Sequence, residues 1–450
     1  MRKTVHSKLR LLIHYRIANA GLLIFVFIFA LTACSTKKLN EINLMPAPDV
    51  YEDGAVDPFT DTDPIEKIPY NGILYATDRS PAKENHHFYK NKRGNLLRLG
   101  FAKIKAGKEN ITWEEARRIS LLKNRTVNYP LKVTEVEELG ILDRSITVFT
   151  PPDLITKDLY QPAERFAELV NEKLKQSKRK DIYIYVHGYK VVFENPILVA
   201  TELWHFLGYD GVFIAYAWPS TPKALAYVSD AETAALSSHF LQIFIQYLAE
   251  ETDAENIHIV GYSAGTRVVI SALAQLAMLN TNQDKAAIQS KLRIGHVILT
   301  ASDFDRQLFG IQLEKGLLKV PRTLTVYVSE SDSALGFSKW LFGRERLGQM
   351  WKDRKLPDIA AKYLRERQEL IFIDVTDAES ATTGNGHAYF RKSPWISSDI
   401  LMTLMHDLKP DERGLVQSED IPVWTFPPDY IQRLRAALLE VLPDAKKSLE

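Results

Sequence analysis

Six short, nearly unbroken apolar runs mark the second half of the chain: IYIYV (182–186), VFIAYAW (212–218), NIHIV (256–260), HVILTA (296–301), TLTVYVS (323–329) and LIFIDV (370–375). Such runs predict strands buried on both faces, since a strand with one wet face alternates instead. Polar and helix-patterned segments separate the first three, the longest at 222–251. Strand and helix in alternation predict an α/β fold, a mostly parallel central sheet with helices on both faces. Upstream, GILYAT (72–77) predicts a first strand, with ordered structure starting near Asn71. Residues 86–150 mix strand-like runs (LLRLGFAKI, SITVF) with polar turns, as an N-terminal extension of the sheet would. The expected body is therefore 69–400, with the extension at 69–180 and the core at 181–400. A C-terminal helical tail follows at 401–450, closing on the body through DYIQRLRAALLEVL (429–442).

The first 68 residues follow another pattern. A basic head with five Lys and Arg residues up to Arg16 precedes the apolar stretch ANAGLLIFVFIFALTA (18–33), and Cys34 follows in L-T-A-C. This is the layout of an export signal. The tetrad resembles the lipobox of bacterial lipoproteins, which implies cleavage after Ala33 and acylation of Cys34. An uncleaved signal anchor is the alternative, although the segment is short of the roughly 20 apolar residues a spanning helix needs. With Ser35 after the cysteine, the resemblance implies sorting to the outer membrane, facing the periplasm. Residues 34–68, rich in proline and aspartate, read as a lipidated tether.

Composition narrows the chemistry. The 450 residues are 46% hydrophobic and 25% charged with a formal net charge of +1, so no overall field favours nucleic acid. A single cysteine leaves no intrachain disulfide and no cysteine-rich metal site.

One stretch has the pattern of reaction chemistry. In NIHIVGYSAGTRVVI (256–270), G-x-S-x-G lies between a predicted strand and a predicted helix. The glycines allow a sharp turn that presents Ser263 at the carboxyl edge of the sheet. Capping the helix is the plainer role for that serine. A serine hydroxyl attacks at neutral pH only if a base takes its proton. Of the histidines after Ser263, His296 begins an apolar run and His406 sits on a helical pattern. His387, in the glycine-rich TTGNGHAYF, is left as the base. An orienting acid belongs on a loop between them. Asp332 in YVSESDSAL fits best, with Asp303 and Asp305 as rivals and Asp374 and Asp377 further along. An oxyanion would be met by the amide of Ala264 and by the turn after IYIYV, His187-Gly188-Tyr189, with Tyr189 the expected donor.

Taken in order, HGY, WPS, GYSAG, ASDFD, YVSESDSAL and GHAYF, with GILYATDR before them and FSKWLFGRERLG after the acid, resemble a bacterial α/β-hydrolase family of largely uncharacterised, esterase- and lipase-like proteins. The likeness spans roughly 70–395. It implies Ser263 as nucleophile, Asp332 as acid and His387 as base, and it supplies no substrate. The resulting expectation is an envelope-tethered serine hydrolase cleaving a small-molecule or lipid-like carboxylic ester, without metal or organic cofactor. An amidase or thioesterase using the same groups, or a silent scaffold on the same fold, are the alternatives. Residues 334–355, with Phe337, Trp340, Leu341 and Phe342 before a basic run, read either as a cap or as a surface helix. Trp218 and Trp340 are candidate pocket walls.

Overall fold

The computed structural model describes residues 40–441 apart from 53, 55, 83–87, 108–110, 156–157, 224–225 and 352–354. The expected signal segment and Cys34 lie outside the described residues. Among the described residues no helix is long and apolar enough to cross a membrane.

Twelve strands form one sheet. They are β1 (Glu41–Asn43), β2 (Ile73–Pro81), β3 (Tyr89–Ala106), β4 (Pro130–Ile141), β5 (Asp181–Val186), β6 (Val212–Tyr216), β7 (Asn256–Tyr262), β8 (Ile294–Thr300), β9 (Thr323–Val328), β10 (Leu370–Asp374), β11 (Val416–Gln417) and β12 (Trp424–Thr425). Their order is β1-β4-β3-β2-β6-β5-β7-β8-β9-β10-β12-β11. From β2 to β12 every neighbouring pair is parallel. The remaining pairs, at the two ends, are antiparallel.

All six predicted core runs are strands in this parallel block, and β5, β6 and β8 are buried at every position. Continuous apolarity is what burial on both faces requires. The helix Gly265–Leu279 packs on β7 and β5, and the long helix Tyr227–Glu251 packs on it in turn. Because the block is parallel, the segments leaving β5, β6, β7, β8, β9 and β10 emerge at one edge. Gly188, Trp218, Ser263, Asp303, Asp332 and His387 all follow those strands.

Three boundaries differ from the sequence reading. Residues 40–68 are not a free tether. Met45, Ala47, Val50, Tyr51, Val56, Phe59 and Ile68 are all buried. Backbone and side chains dock on distant elements: Met45 N–H donates to Glu202 at 3.1 Å, Val50 N–H to Ser398 Oγ at 3.1 Å, and Tyr51 O–H to the Phe206 carbonyl at 2.5 Å. The segment packs mostly as turns and short 3₁₀ pieces, which carry no periodic signature. At the other end, the boundary at 400 falls inside the helix Pro394–His406, and β12 extends the parallel sheet. There Arg413 and Asp399 pair at 2.6 Å, both fully buried, so the tail belongs to the core. Finally, SITVF forms no strand: Val148 and Phe149 are more than nine-tenths exposed. β-Branched content alone does not make a strand where no neighbour offers a free edge.

Burial also sets a pH dependence. His205 is buried between Tyr209 O–H (2.8 Å) and Ser120 Oγ (2.7 Å), and desolvation, aided by Arg125, pushes its pKa from 6.5 down to about 3. The same cause acts on His187, lowered to about 3, and His296, lowered to about 4. Each folded value lies below the unfolded one, so the stabilisation is complete above pH 6.5 and is lost as pH falls towards the folded value. At pH 5 His205 alone accounts for a loss of about 2 kcal/mol. Urea unfolding at pH 7 and pH 5 is expected to show the wild type weakening in acid, and His205→Gln weakening by about 2 kcal/mol less. Equal acid losses in the two proteins would contradict a neutral, buried His205.

Candidate active site

Ser263 adopts φ +51°, a left-handed conformation unusual for a serine. The turn is held on both sides. Ser263 N–H donates to the Thr300 carbonyl at 3.0 Å, at the end of β8. The Ser263 carbonyl accepts from Thr266 N–H at 3.0 Å and from Thr266 Oγ1 at 2.6 Å. Two residues on, Gly265 begins the helix in direct contact with β5. A Cβ there would stand 2.3 Å from the His187 carbonyl oxygen and 2.5 Å from that of Val186. No side chain fits, so the glycine lets helix and strand approach closely enough to form the turn.

The three separated side chains meet at this turn. His387 Nε2 lies 2.8 Å from Ser263 Oγ, across 124 positions of sequence, and His387 Nδ1 lies 2.7 Å from Asp332 Oδ2. A carboxylate only accepts, so Nδ1–H donates to Asp332 and the lone pair on Nε2 accepts the serine O–H. Asp332 is buried, and its second oxygen, Oδ1, accepts from Leu335 N–H at 3.0 Å, capping the helix Ser333–Phe342. One carboxylate thus starts a helix and orients an imidazole. The two loops are joined directly, since Ser333 N–H donates to the Asn385 carbonyl at 3.1 Å. Gly386, at φ +65°, leaves no room for a side chain, because a Cβ would meet the Ser331 carbonyl oxygen at 2.6 Å. Tyr389 anchors the far side: its hydroxyl donates to the Tyr327 carbonyl at 3.1 Å and accepts from Ala301 N–H.

The rival residues are occupied elsewhere. Asp305 caps the helix Arg306–Glu314 through Leu308 N–H at 2.9 Å. Asp374 accepts from Thr376 N–H at 3.0 Å. His296 sits at the start of β8, at the opposite edge, between Thr323 Oγ1 (2.7 Å) and Asp407 (2.8 Å). His406 ends the helix Pro394–His406.

Gly188 lies directly against the serine, since a Cβ on it would come within 2.8 Å of Ser263 Cβ. Ala264 immediately precedes the helix Gly265–Leu279, where amides lack intrahelical acceptors. Tyr189 follows in the same turn, its ring edge-on to Tyr227 at 5.0 Å between centroids. His187 braces that turn from below. Its Nδ1 faces the Gly188 carbonyl at 2.7 Å and its Nε2 the Trp218 carbonyl at 2.9 Å.

Both expected pocket walls are elsewhere. Trp218 is fully buried, stacked on His187 at 5.3 Å, and its Nε1–H donates to the His187 carbonyl at 2.6 Å. It props the turn and lines no opening. Trp340 is 73% exposed, on the outer side of Ser333–Phe342 beside Phe337. The four apolar residues of this helix divide: Phe342 packs inward under Arg267 and Arg346, while Phe337, Trp340 and Leu341 face water.

Two supports had no assigned role in the sequence. Arg79, from GILYATDR, is fully buried; its Nε donates to the Ala217 carbonyl at 3.3 Å and its Nη2 to the Val191 carbonyl at 3.2 Å. It therefore ties the turn after β5 to the turn after β6. Desolvation lowers its pKa to about 10, so it remains a cation at neutral pH. The other support is Asp303, expected only as a rival acid. It is buried beside the nucleophile turn and accepts from Arg267 Nε at 3.0 Å, from Tyr227 O–H and from Ser338 Oγ. Arg267 lies in the first turn of the helix that follows Ser263. Asp303 locks the Ser333–Phe342 helix to the nucleophile helix.

Among the described residues no group of three or more His, Cys, Asp or Glu side chains is arranged to hold a metal ion. In comparisons with known proteins, a family model described as alpha/beta hydrolase of unknown function (DUF900) matches residues 163–405. No curated protein and no solved structure matches.

Proposed function

Because this chain belongs to a family of alpha/beta hydrolases of unknown function, we propose that it is a serine hydrolase cleaving a carboxylic ester through an acyl-enzyme. The observation that carries the reading is the unbroken series Ser263 Oγ, His387 and Asp332, at 2.8 and 2.7 Å. Ser263 Oγ attacks the ester carbonyl carbon while its proton passes to His387 Nε2. Asp332, on Nδ1–H, stabilises the imidazolium that forms. The carbonyl oxygen becomes an oxyanion, met by the amides of Ala264 and of the Gly188–Tyr189 turn. Collapse expels the alcohol, which takes the proton from Nε2 and leaves the acyl group on Ser263. Water then repeats the sequence in reverse, with His387 as base, and releases the acid. Amides and thioesters can use the same groups, and a substrate panel separates them.

We further propose that acylated Cys34 tethers the chain to the bacterial envelope, at the outer membrane facing the periplasm. L-T-A-C after a basic head and an apolar segment supports this. Since residues 40–68 pack on the body, any free tether is confined to the residues before them.

A fluorophosphonate probe is expected to label the wild type, leave Ser263→Ala unlabelled, and label His387→Ala about 10³-fold more slowly or worse. Equal labelling of wild type and Ser263→Ala, or none of either, would overturn the serine hydrolase in favour of a silent scaffold. Cells fed a radiolabelled fatty acid should incorporate it into the wild type and not into Cys34→Ala; label in both would refute the anchor.

A further inference from the structure

A cavity lies at the other edge of the sheet. It is a cleft of about 800 Å³ at the amino ends of the strands, within the range of small-molecule sites. Gly54, Val56, Asp57, Pro58, Thr60, Pro64 and Lys67, from the expected tether, form one wall, and the ends of the helices Gln161–Gln176 and Pro394–His406 form others.

Lys173 is the feature that needs explaining. It is only 7% exposed and lines the cleft, and Asp210 is the carboxylate whose charge acts on its ammonium. Its ammonium sits 5.7 Å over the Trp204 ring. Withdrawing an ammonium from water is unfavourable unless an anion accompanies it, and the ring face offsets part of that cost. The carboxylates at the cleft are shared with other groups. Asp57 takes Arg117 at 2.6 Å, and Asp210 accepts from the Lys178 and Arg179 amides at 2.7 and 3.3 Å. Lys67 and Lys178 add positive charge around the opening, where Arg179 pairs with Asp210 at 3.9 Å. His406 Nε2 is buried there without a partner. The rest of the lining is apolar, with Val56, Pro58, Leu207 and Met405 among it.

We propose that this cleft binds an anionic amphiphile, its acidic headgroup on Lys173 Nζ and its alkyl body against Val56, Leu207 and Met405. Burial lowers the Lys173 pKa against the opposing pull of Asp210, and a bound anion would hold the ammonium charged. The site is independent of the Ser263 chemistry, on the far edge of the sheet. A carboxylate and a phosphate monoester offer the same headgroup chemistry, and the experiment separates them.

Thermal unfolding of the full chain in one neutral detergent would be followed with octanoate and octyl phosphate, each below its micelle concentration, against octanol and inorganic phosphate. Saturable stabilisation by octanoate, octyl phosphate or both, exceeding octanol and free phosphate, is expected; the stronger arm names the headgroup. The effect should persist in Ser263→Ala and weaken at least about tenfold in Lys173→Met, a loss of about 1.4 kcal/mol. Octanol or free phosphate stabilising as strongly as the amphiphiles would overturn the proposal, and so would an undiminished effect in Lys173→Met. Should Lys173→Met fail to fold, crosslinking of the wild type with a diazirine-bearing octanoate decides. Adducts on 54–67 or 404–406 support the site, and adducts only elsewhere refute it.

Discussion

Everything at the candidate site hangs on the left-handed backbone of Ser263, at φ +51°. A non-glycine residue held there costs on the order of 1–3 kcal/mol, and it persists only where its surroundings leave no alternative. Here they leave none. Thr300 holds the serine amide, Thr266 holds its carbonyl twice, and Gly265 lets the following helix lie against the end of β5. Relaxing the turn would sacrifice those bonds together, in a region where buried polar groups have no water to replace them. The strain therefore has a consequence for chemistry. It turns the hydroxyl out of the sheet edge, and the imidazole of His387 meets it there.

Around this turn the structure uses buried charge as a fastener. Arg79 ties the turn after β5, which lies beside Ser263, to the turn after β6, and Asp303 holds Arg267, Tyr227 and Ser338 together. Buried ion pairs contribute little net stability, because desolvation offsets most of the attraction. Removing one partner is another matter, since the other charge is then stranded, typically at a cost of about 3–5 kcal/mol. Such groups are suited to fixing geometry. Arg79 sets the approach of Gly188 to the serine, and Asp303 sets the position of the helix that Asp332 caps.

The sequence made the parallel block legible because fully buried strands have a signature that surface elements lack. It also made Ser263 and His387 legible, since a reactive turn and a loop histidine are defined locally. Asp332 was legible through its place after a strand, although its second bond, capping the helix at Leu335, could not be read. What escaped had no local signature. Residues 40–68 pack by scattered apolar contacts with no period, so they resembled a tether. Trp218 ends a strand at the right edge, yet its indole turns inward to His187. SITVF has strand composition and no partner. Arg79 carried no sign of its role, because burial of a charge is decided by distant carbonyls.

The most direct test of acyl transfer at Ser263 is intact and peptide mass spectrometry of the protein quenched during turnover of p-nitrophenyl esters. The arrangement described here predicts one acyl adduct per chain, on the peptide carrying Ser263, absent from Ser263→Ala and accumulating less in Asp332→Asn. Hydrolysis without an adduct on that peptide, or an adduct on another residue with Ser263 unmodified, would contradict it.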